Sequence, residues 1–437
     1  MMEKDFLIPR GIKAMVASMA HKKIVGHANE EEIYRAIEEL KELLRTLDIN
    51  VVGESIAHRV KISAATVFSD KKLLEVAQEA KKLSAEVIVF DFELSATQVR
   101  NIEKLTELHV LDRNSIILEI FARHARSRES LLQVEMLRLQ YLLPRLSHLY
   151  SGQGHQRGGA HSISGSGESK SEVMKKLVRQ KIDQHKKELQ EIGVARIEQS
   201  KKRKENTCRV ALVGYTNAGK SSILNRLCSE KLLEENKLFS TVDATHRVLD
   251  DQIKPPIVLI DTVGFISNLP KNLQQGFRTT LESALEAQLL VMVCDVSNHH
   301  VDFHIQVTNE VLKKLNTAPK DVLYVFNKKD LLPGDYVADH FLHEYPRSLL
   351  VSSFDPADMK RLKEAINHYF MESWPCQCLY IPYSVSRPHA LLAAKANVIE
   401  SCAKDEGVYY KVRLPESLFR PLNLENYVIS QDKYPAR

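Results

Sequence analysis

The sequence predicts a multidomain α/β protein. It comprises a small N-terminal α/β domain, a long helical hairpin, a doubly wound phosphate-loop domain and a small C-terminal α/β module. Three observations carry that prediction. Helical periodicity alternates with short apolar runs through the first 126 residues and again beyond residue 207. Between these regions, two long charged helical segments flank a glycine-rich stretch. A strand, a glycine-bearing loop and a helix then follow one another without interruption from Cys208 to Leu227. The expected domains are 1–126, 127–206, 207–373 and 374–437.

The composition sets outer limits. A chain of 437 residues suits about three domains. The 44% hydrophobic and 27% charged residues are an ordinary folded balance, and 16 Gly with 15 Pro exclude collagen-like chains. A net charge of +5, from 61 basic and 56 acidic residues, is too even for a protein that coats nucleic acid all over. The sequence contains no apolar run of about 18 residues, so neither a spanning helix nor a stable membrane anchor is expected. Met1 to Ala20 carries Glu3, Asp5 and only a short apolar patch from Ala14, a poor secretory signal. The six cysteines are dispersed, and Cys376-Gln377-Cys378 lacks a second ligand pair. Reduced thiols in a cytoplasmic protein are therefore expected.

In chain order, Glu30–Leu47 reads as an amphipathic helix with Ile33, Ile37, Leu40, Leu44 and Leu47 on one face. An extended stretch follows at Asn50–Gly53. A helix at 71–83 precedes the strand-like run 86–90, and a helix at 96–105 precedes His109–Leu111. Ser127–Leu149 reads as one long helix. Six of the 16 glycines then fall between Gly152 and Gly167, which favours irregular backbone. From Glu172 to Asn206 a charged helix resumes, and the two helices suit an antiparallel hairpin with the glycines at its tip. Residues 170–205 hold 12 basic and 6 acidic side chains. That net of +6 exceeds the charge of the whole chain and fits an RNA-phosphate surface.

The segment with most chemical content is Gly214-Tyr215-Thr216-Asn217-Ala218-Gly219-Lys220-Ser221, set between strand 208–213 and a helix beginning at Ser222. Loop N–H groups and the helix start would surround phosphates. Lys220 would reach the β/γ-phosphates and Ser221 would ligate Mg²⁺. The strand Ile257–Ile260 ends in Asp261-Thr262-Val263-Gly264. Asp261 would hold Mg²⁺ through water, and the Gly264 N–H would meet the γ-phosphate. Strand 322–326 ends in Asn327-Lys328-Lys329-Asp330. The Asp330 carboxylate can accept from guanine N1–H and the 2-amino group, a donor pair that adenine lacks. Asn327 would support the loop and touch the base edge while the Lys328 stem covers the base face. Strand 348–351 ends in Ser352-Ser353, where main-chain donors would meet guanine O6. Between the first two motifs, Phe239-Ser240-Thr241-Val242-Asp243 supplies a γ-phosphate sensor, with Thr241 on Mg²⁺ and Thr245 as its competitor. Trp374-Pro375 marks a boundary. Beyond it come a strand at 379–383, a helix near 390–400 and a strand at 408–412.

With these motifs in view, the chain resembles the HflX family of translational GTPases. The likeness rests on 214–221, 239–243, Asp261 to Ile266, Leu269-Pro270 and Phe277 to Glu282. In the front half it rests on Phe90 to Ser95, Leu111-Asp112-Arg113, Ile120-Phe121-Ala122 and Tyr141 to Leu146. The resemblance implies a Mg²⁺-dependent GTPase that binds GTP and GDP, docks on rRNA and protein of the large ribosomal subunit, and dissociates stalled or idle ribosomes. The alternative is a GTP-gated factor for subunit assembly or quality control. Three departures stand out: Ser69-Asp70-Lys71-Lys72 in place of a Gly-x-Gly-Lys stretch, a tip at 158–168 without the usual Arg and Pro, and Ser352-Ser353 in place of Ser-Ala. Many related enzymes orient the attacking water with a Gln where this chain has Phe265, so no catalytic side chain is assigned. Lys220, Thr241 and Gly264 are left to stabilise the phosphoryl group. Hydrolysis is expected to be slow alone and faster on ribosomes, which would order loops 236–247 and 264–280. Asn217 could seat a K⁺ beside the phosphates. A monomer is expected.

Overall fold

The computed structural model describes residues 8–20, 30–58, 63–146, 170–204, 207–228, 245–250, 253–267, 287–314, 320–334, 338–420, 422–430 and 434. Two compact units partition the chain. The first takes 1–192 with 236–243 and 267–278, and the second takes 193–235, 244–266 and 279–437. The mixed α/β multidomain architecture read from the sequence is the one observed.

The first unit is built on a parallel four-stranded sheet of order β2-β1-β3-β4. Its strands are β1 (Lys13–Met19), β2 (Asn50–Ala57), β3 (Val87–Phe90) and β4 (His109–Asp112). They alternate with helices α1 (Glu30–Thr46), α2 (Asp70–Lys82), α3 (Ala96–Thr106) and α4 (Arg113–His124). β1 corrects the reading of 14–20 as a mere apolar patch. Every residue of β1 after Lys13 is buried. A parallel strand covered on both faces shows no alternation, so its pattern is silent. The helix starts obey local chemistry. Ser69 accepts from the Lys72 N–H at 3.4 Å, and Ser95 with Gln98 closes a capping box. Phe68, Phe90 and Phe92 form the aromatic centre of this core.

Helix α5 (Arg128–Leu142) packs beside α6 (Lys170–Lys204) through Leu139, Val178 and Ile182. Arg128 pairs with Glu188 at 3.2 Å, and Lys181 pairs with Glu135. That crossed numbering makes the two helices antiparallel. The long helix expected over 127–149 is broken after Leu142: 143–145 turn around Pro144, which cannot donate to the helical ladder, Leu146 is helical again, and 147–149 lie outside the described residues. The glycine-rich tip lies outside the described residues.

The second unit holds a six-stranded sheet of order β10-β9-β8-β5-β7-β6, parallel except for β6. Its strands are β5 (Cys208–Val213), β6 (Thr245–Asp250), β7 (Ile257–Asp261), β8 (Leu289–Asp295), β9 (Asp321–Asn327) and β10 (Ser348–Leu350). The helices are α7 (Lys220–Leu227), α8 (Val301–Lys314), α9 (Asp339–Glu344) and α10 (Pro356–Ser373). Strand order reverses at β5, which opens a crevice at its carboxyl end. A separate antiparallel sheet of order β12-β13-β11-β14 follows. It contains β11 (Cys376–Pro382), β12 (Asn397–Lys404), β13 (Gly407–Arg413) and β14 (Val428–Ile429), with α11 (Ser386–Lys395) and α12 (Glu416–Phe419) alongside. The helix expected near 390–400 is thus corrected: it stops at Lys395, and 397–404 pairs with β13 as a strand. That pairing is a hairpin closed across Asp405-Glu406, which the helical period of the segment does not display.

Candidate functional site

The phosphate loop is shaped by three backbone positions of positive φ. Gly214 sits at φ 147°, where a Cβ would lie 2.2 Å from the Val293 carbonyl oxygen of β8. Gly219 sits at φ 95°, and its Cβ would lie 2.2 Å from Asn327 Nδ2. Asn217 takes φ 61°, a conformation that Asn tolerates. The loop therefore turns directly into the N-terminus of α7, a helix end that suits anionic phosphate.

Lys220, the first residue of α7, is buried and donates to the carbonyls of Gly214 (3.1 Å) and Tyr215 (2.8 Å). Burial pushes its ammonium down to about 8, against the opposing pull of Asp261. Phosphate needs the charged ammonium, so above pH 8 binding must take up a proton and affinity falls. GDP titrations are expected to weaken roughly fivefold to tenfold between pH 7.5 and 9. A flat profile there contradicts this account of Lys220.

Ser221 Oγ donates to Asp261 Oδ2 at 2.7 Å, and Asp261 is fully buried at the end of β7. A hydroxyl and a carboxylate oxygen so close together would offer Mg²⁺ an all-oxygen pair. Thr262 turns away and donates to the Leu212 carbonyl at 2.8 Å, bracing β5. Val263 is buried. Gly264 packs so closely that a Cβ would lie 2.8 Å from Thr216 and 3.0 Å from Lys220 Nζ. Phe265 N–H donates to the Gly214 carbonyl at 3.1 Å, and Thr216 N–H donates to the Phe265 carbonyl at 2.8 Å. This short bridge couples the phosphate loop to the Asp261–Gly264 segment, and the Phe265 side chain is buried.

Asn327 joins three loops. Its Nδ2 donates to the Ala218 carbonyl at 3.0 Å, and its Oδ1 accepts from the Ser353 N–H at 3.1 Å. Lys328, at φ 67°, pairs with Asp295 at 2.8 Å. Asp330 is exposed at the rim, and its Oδ1 accepts from Ser352 Oγ at 2.5 Å. The Lys329 ammonium meets Asp358 at 2.5 Å. The structure thus gathers Gly214 to Ser222, Asp261 to Gly264, Asn327 to Asp330 and Ser352-Ser353 around the carboxyl ends of β5, β7, β9 and β10. Phe239, Ser240, Thr241, Val242 and Asp243 lie outside the described residues. Thr245, the competing sensor, opens β6 opposite Asp261 in the register.

Sequence reasoning missed Asp295 and Asp358, which hold the two lysines of the base loop. Asp295 carried a readable signal, since it ends the apolar run 289–294 just as Asp261 ends 257–260. Asp358 carried none.

A strand–loop–helix phosphate cradle and a base loop, set at one sheet edge, define a phosphate-loop GTPase. Comparison with known proteins agrees. Three family models match consecutive stretches: a GTP-binding GTPase N-terminal region over 34–122, a GTP-binding GTPase middle region over 124–203 and a 50S ribosome-binding GTPase over 209–328. The GTPase HflX of Caldanaerobacter subterraneus is 34% identical over 408 residues, 93% of this chain and 92% of that protein. The GTPase HflX of Escherichia coli is 35% identical over 79% of this chain and 81% of its own. A solved GTP-binding protein from Sulfolobus solfataricus in complex with GDP covers 81% of this chain and 98% of its own, at 21% identity and a TM-score of 0.44. The chain belongs to the HflX GTPase family, and it is a GTP-hydrolysing enzyme.

Proposed function

We propose that this GTPase docks on the large ribosomal subunit in its GTP state and separates stalled or idle ribosomes. GTP hydrolysis to GDP and phosphate then releases it. The observation that carries this reading is the net +6 charge of the sequence 170–205, of which 170–204 is helical, just before strand β5. Such a surface suits the phosphates of rRNA. The 50S-binding description of the family model matched over 209–328 supports the same partner. Among the described residues no helix is long and apolar enough to cross a membrane. We place the protein in the cytoplasm, as a monomer, where ribosomes are.

In this reading Gly214 to Ser222 cradle the phosphates, Asn327 to Asp330 with Ser352 and Ser353 take the guanine, and Phe239 to Asp243 close over the γ-phosphate. Ser221, Thr241 and, through water, Asp261 would hold Mg²⁺, which would supply positive charge to the phosphates. Lys220 and the Gly264 N–H meet the charge that develops on the transferring group. Phe265 and Ile266 are both buried and neither can bond a water through its side chain. Orientation of that water must then come from backbone and from ordering of the loops on the ribosome. We assign to the Asn217 amide oxygen the seating of a K⁺ beside the phosphates.

Ribosome gradients with GTP, GDP and a non-hydrolysable analogue test the proposal. Separation into subunits with GTP, and retention on the large subunit with the analogue, are expected. GTP turnover should also rise at least tenfold with large subunits present. Equal turnover with and without them refutes the docking. Stable co-migration with intact ribosomes, without separation, favours an assembly or quality-control role instead.

A further inference from the structure

We propose that Asp358 is a positioning residue for guanine recognition, acting through Lys329 and Ser352 on Asp330. The inference rests on the guanine-site reading above and adds a residue to it. Asp358 lies in the first turn of α10, outside every nucleotide motif, and its side chain is only 3% exposed. Its Oδ2 accepts from the Ser352 backbone N–H at 2.8 Å and from Lys329 Nζ at 2.5 Å. Arg361 approaches the other oxygen at 3.2 Å.

One carboxylate oxygen therefore ties together the two loops that flank the base. On one side, Lys329 precedes Asp330 in the chain. On the other, Ser352 turns its hydroxyl to Asp330 Oδ1 at 2.5 Å, while its N–H is held by Asp358. Asp330 is exposed and has little packing of its own to fix its rotamer. Its aim is set by these neighbours. A second carboxylate, Asp355, lies 3.6 Å from the same ammonium and caps α10 at the Ala357 N–H. Helix capping thus belongs to Asp355. Asp358 reaches back past the cap to the base loop, which a residue needed only for the helix has no reason to do. Because guanine is read by a pair of parallel bonds, a small error in carboxylate direction affects both.

The test uses the full chain with Asp358→Ala and Asp358→Asn, and measures affinity for GDP, inosine diphosphate and inorganic triphosphate. Inosine lacks the 2-amino group and engages only one of the two Asp330 bonds. Asp358→Ala is expected to weaken GDP roughly tenfold and inosine diphosphate less, narrowing their ratio. Triphosphate, which carries no base, should bind as in the parent. In GTP turnover the loss should fall on KM rather than kcat. A Lys329→Ala/Asp358→Ala double variant should be no weaker than the worse single one. Asp358→Asn keeps the shape and an acceptor for the Ser352 N–H but loses the charge facing Lys329. It should lie between the parent and Asp358→Ala, and it carries the test alone if the Ala variant does not fold. A parent-like GDP to inosine diphosphate ratio in a folded variant overturns the proposal, as does a parallel loss of triphosphate affinity. If the parent itself does not prefer GDP to ADP, the guanine-site reading fails as well.

Discussion

Asp330→Asn is expected to lower affinity for GTP and GDP about a thousandfold, with a compensating gain for xanthine nucleotides. The carboxylate can accept both the N1–H and the 2-amino donors of guanine. An amide in its place offers one acceptor and turns an N–H₂ toward the 2-amino group. Two donors then face each other in a partly desolvated site, and sites built on paired polar groups discriminate by factors of about 10⁴. Xanthine carries a carbonyl at that position, so the amide donates to it and accepts from N1–H. Competition of GDP and xanthosine diphosphate for the purified variant reads both effects. Equal losses for the two bases would mean that Asp330 is a structural residue. The fold should survive, because Asp330 is exposed and its bond to the Ser352 hydroxyl can be made by an amide oxygen.

Gly214→Ala is expected to remove nucleotide binding by destabilising the second unit. The added Cβ meets the Val293 backbone oxygen at 2.2 Å, in the middle of the sheet, at a φ of 147° that side chains rarely adopt. Backbone cannot step aside as a flexible side chain can. The strain is worth about 3 kcal/mol, and thermal unfolding should begin roughly 6–12 °C lower. Added GDP should raise the melting temperature of the parent by mass action and leave that of the variant unchanged. Gly193→Ala, at a position where nothing lies within 4 Å of the added atom, is the control. An unchanged melting profile for Gly214→Ala would remove the close-approach argument.

Legibility in the sequence depended on how local each feature was. The phosphate loop was readable because Gly214, Gly219 and Lys220 are fixed by backbone conformation and by one strand–helix junction. The guanine loop was readable because Asn327 and Asp330 close a strand of unmistakable apolar character. Strand β1 was not, since complete burial erases the alternation that marks a strand. Strand β12 was not either: Val398 and Ile399 are exposed, and only pairing with β13 makes 397–404 extended. The break after α5 was signalled by Pro144, but the apolar period runs on across it.

By itself, then, the sequence determined the order of the motifs, the class of ligand each can hold, and the family. All of these depend on residues that act through their own loop and its chemistry. Only the tertiary structure decided how the motif residues meet one another and which side chains outside the motifs aim them. Asn327 bridges to Ala218 across 109 positions, and Ser221 meets Asp261 across 40. Asp358 reaches Lys329 from a helix that no motif includes. A hydrogen bond depends on separation in space, and the folded sheet sets that separation independently of distance along the chain.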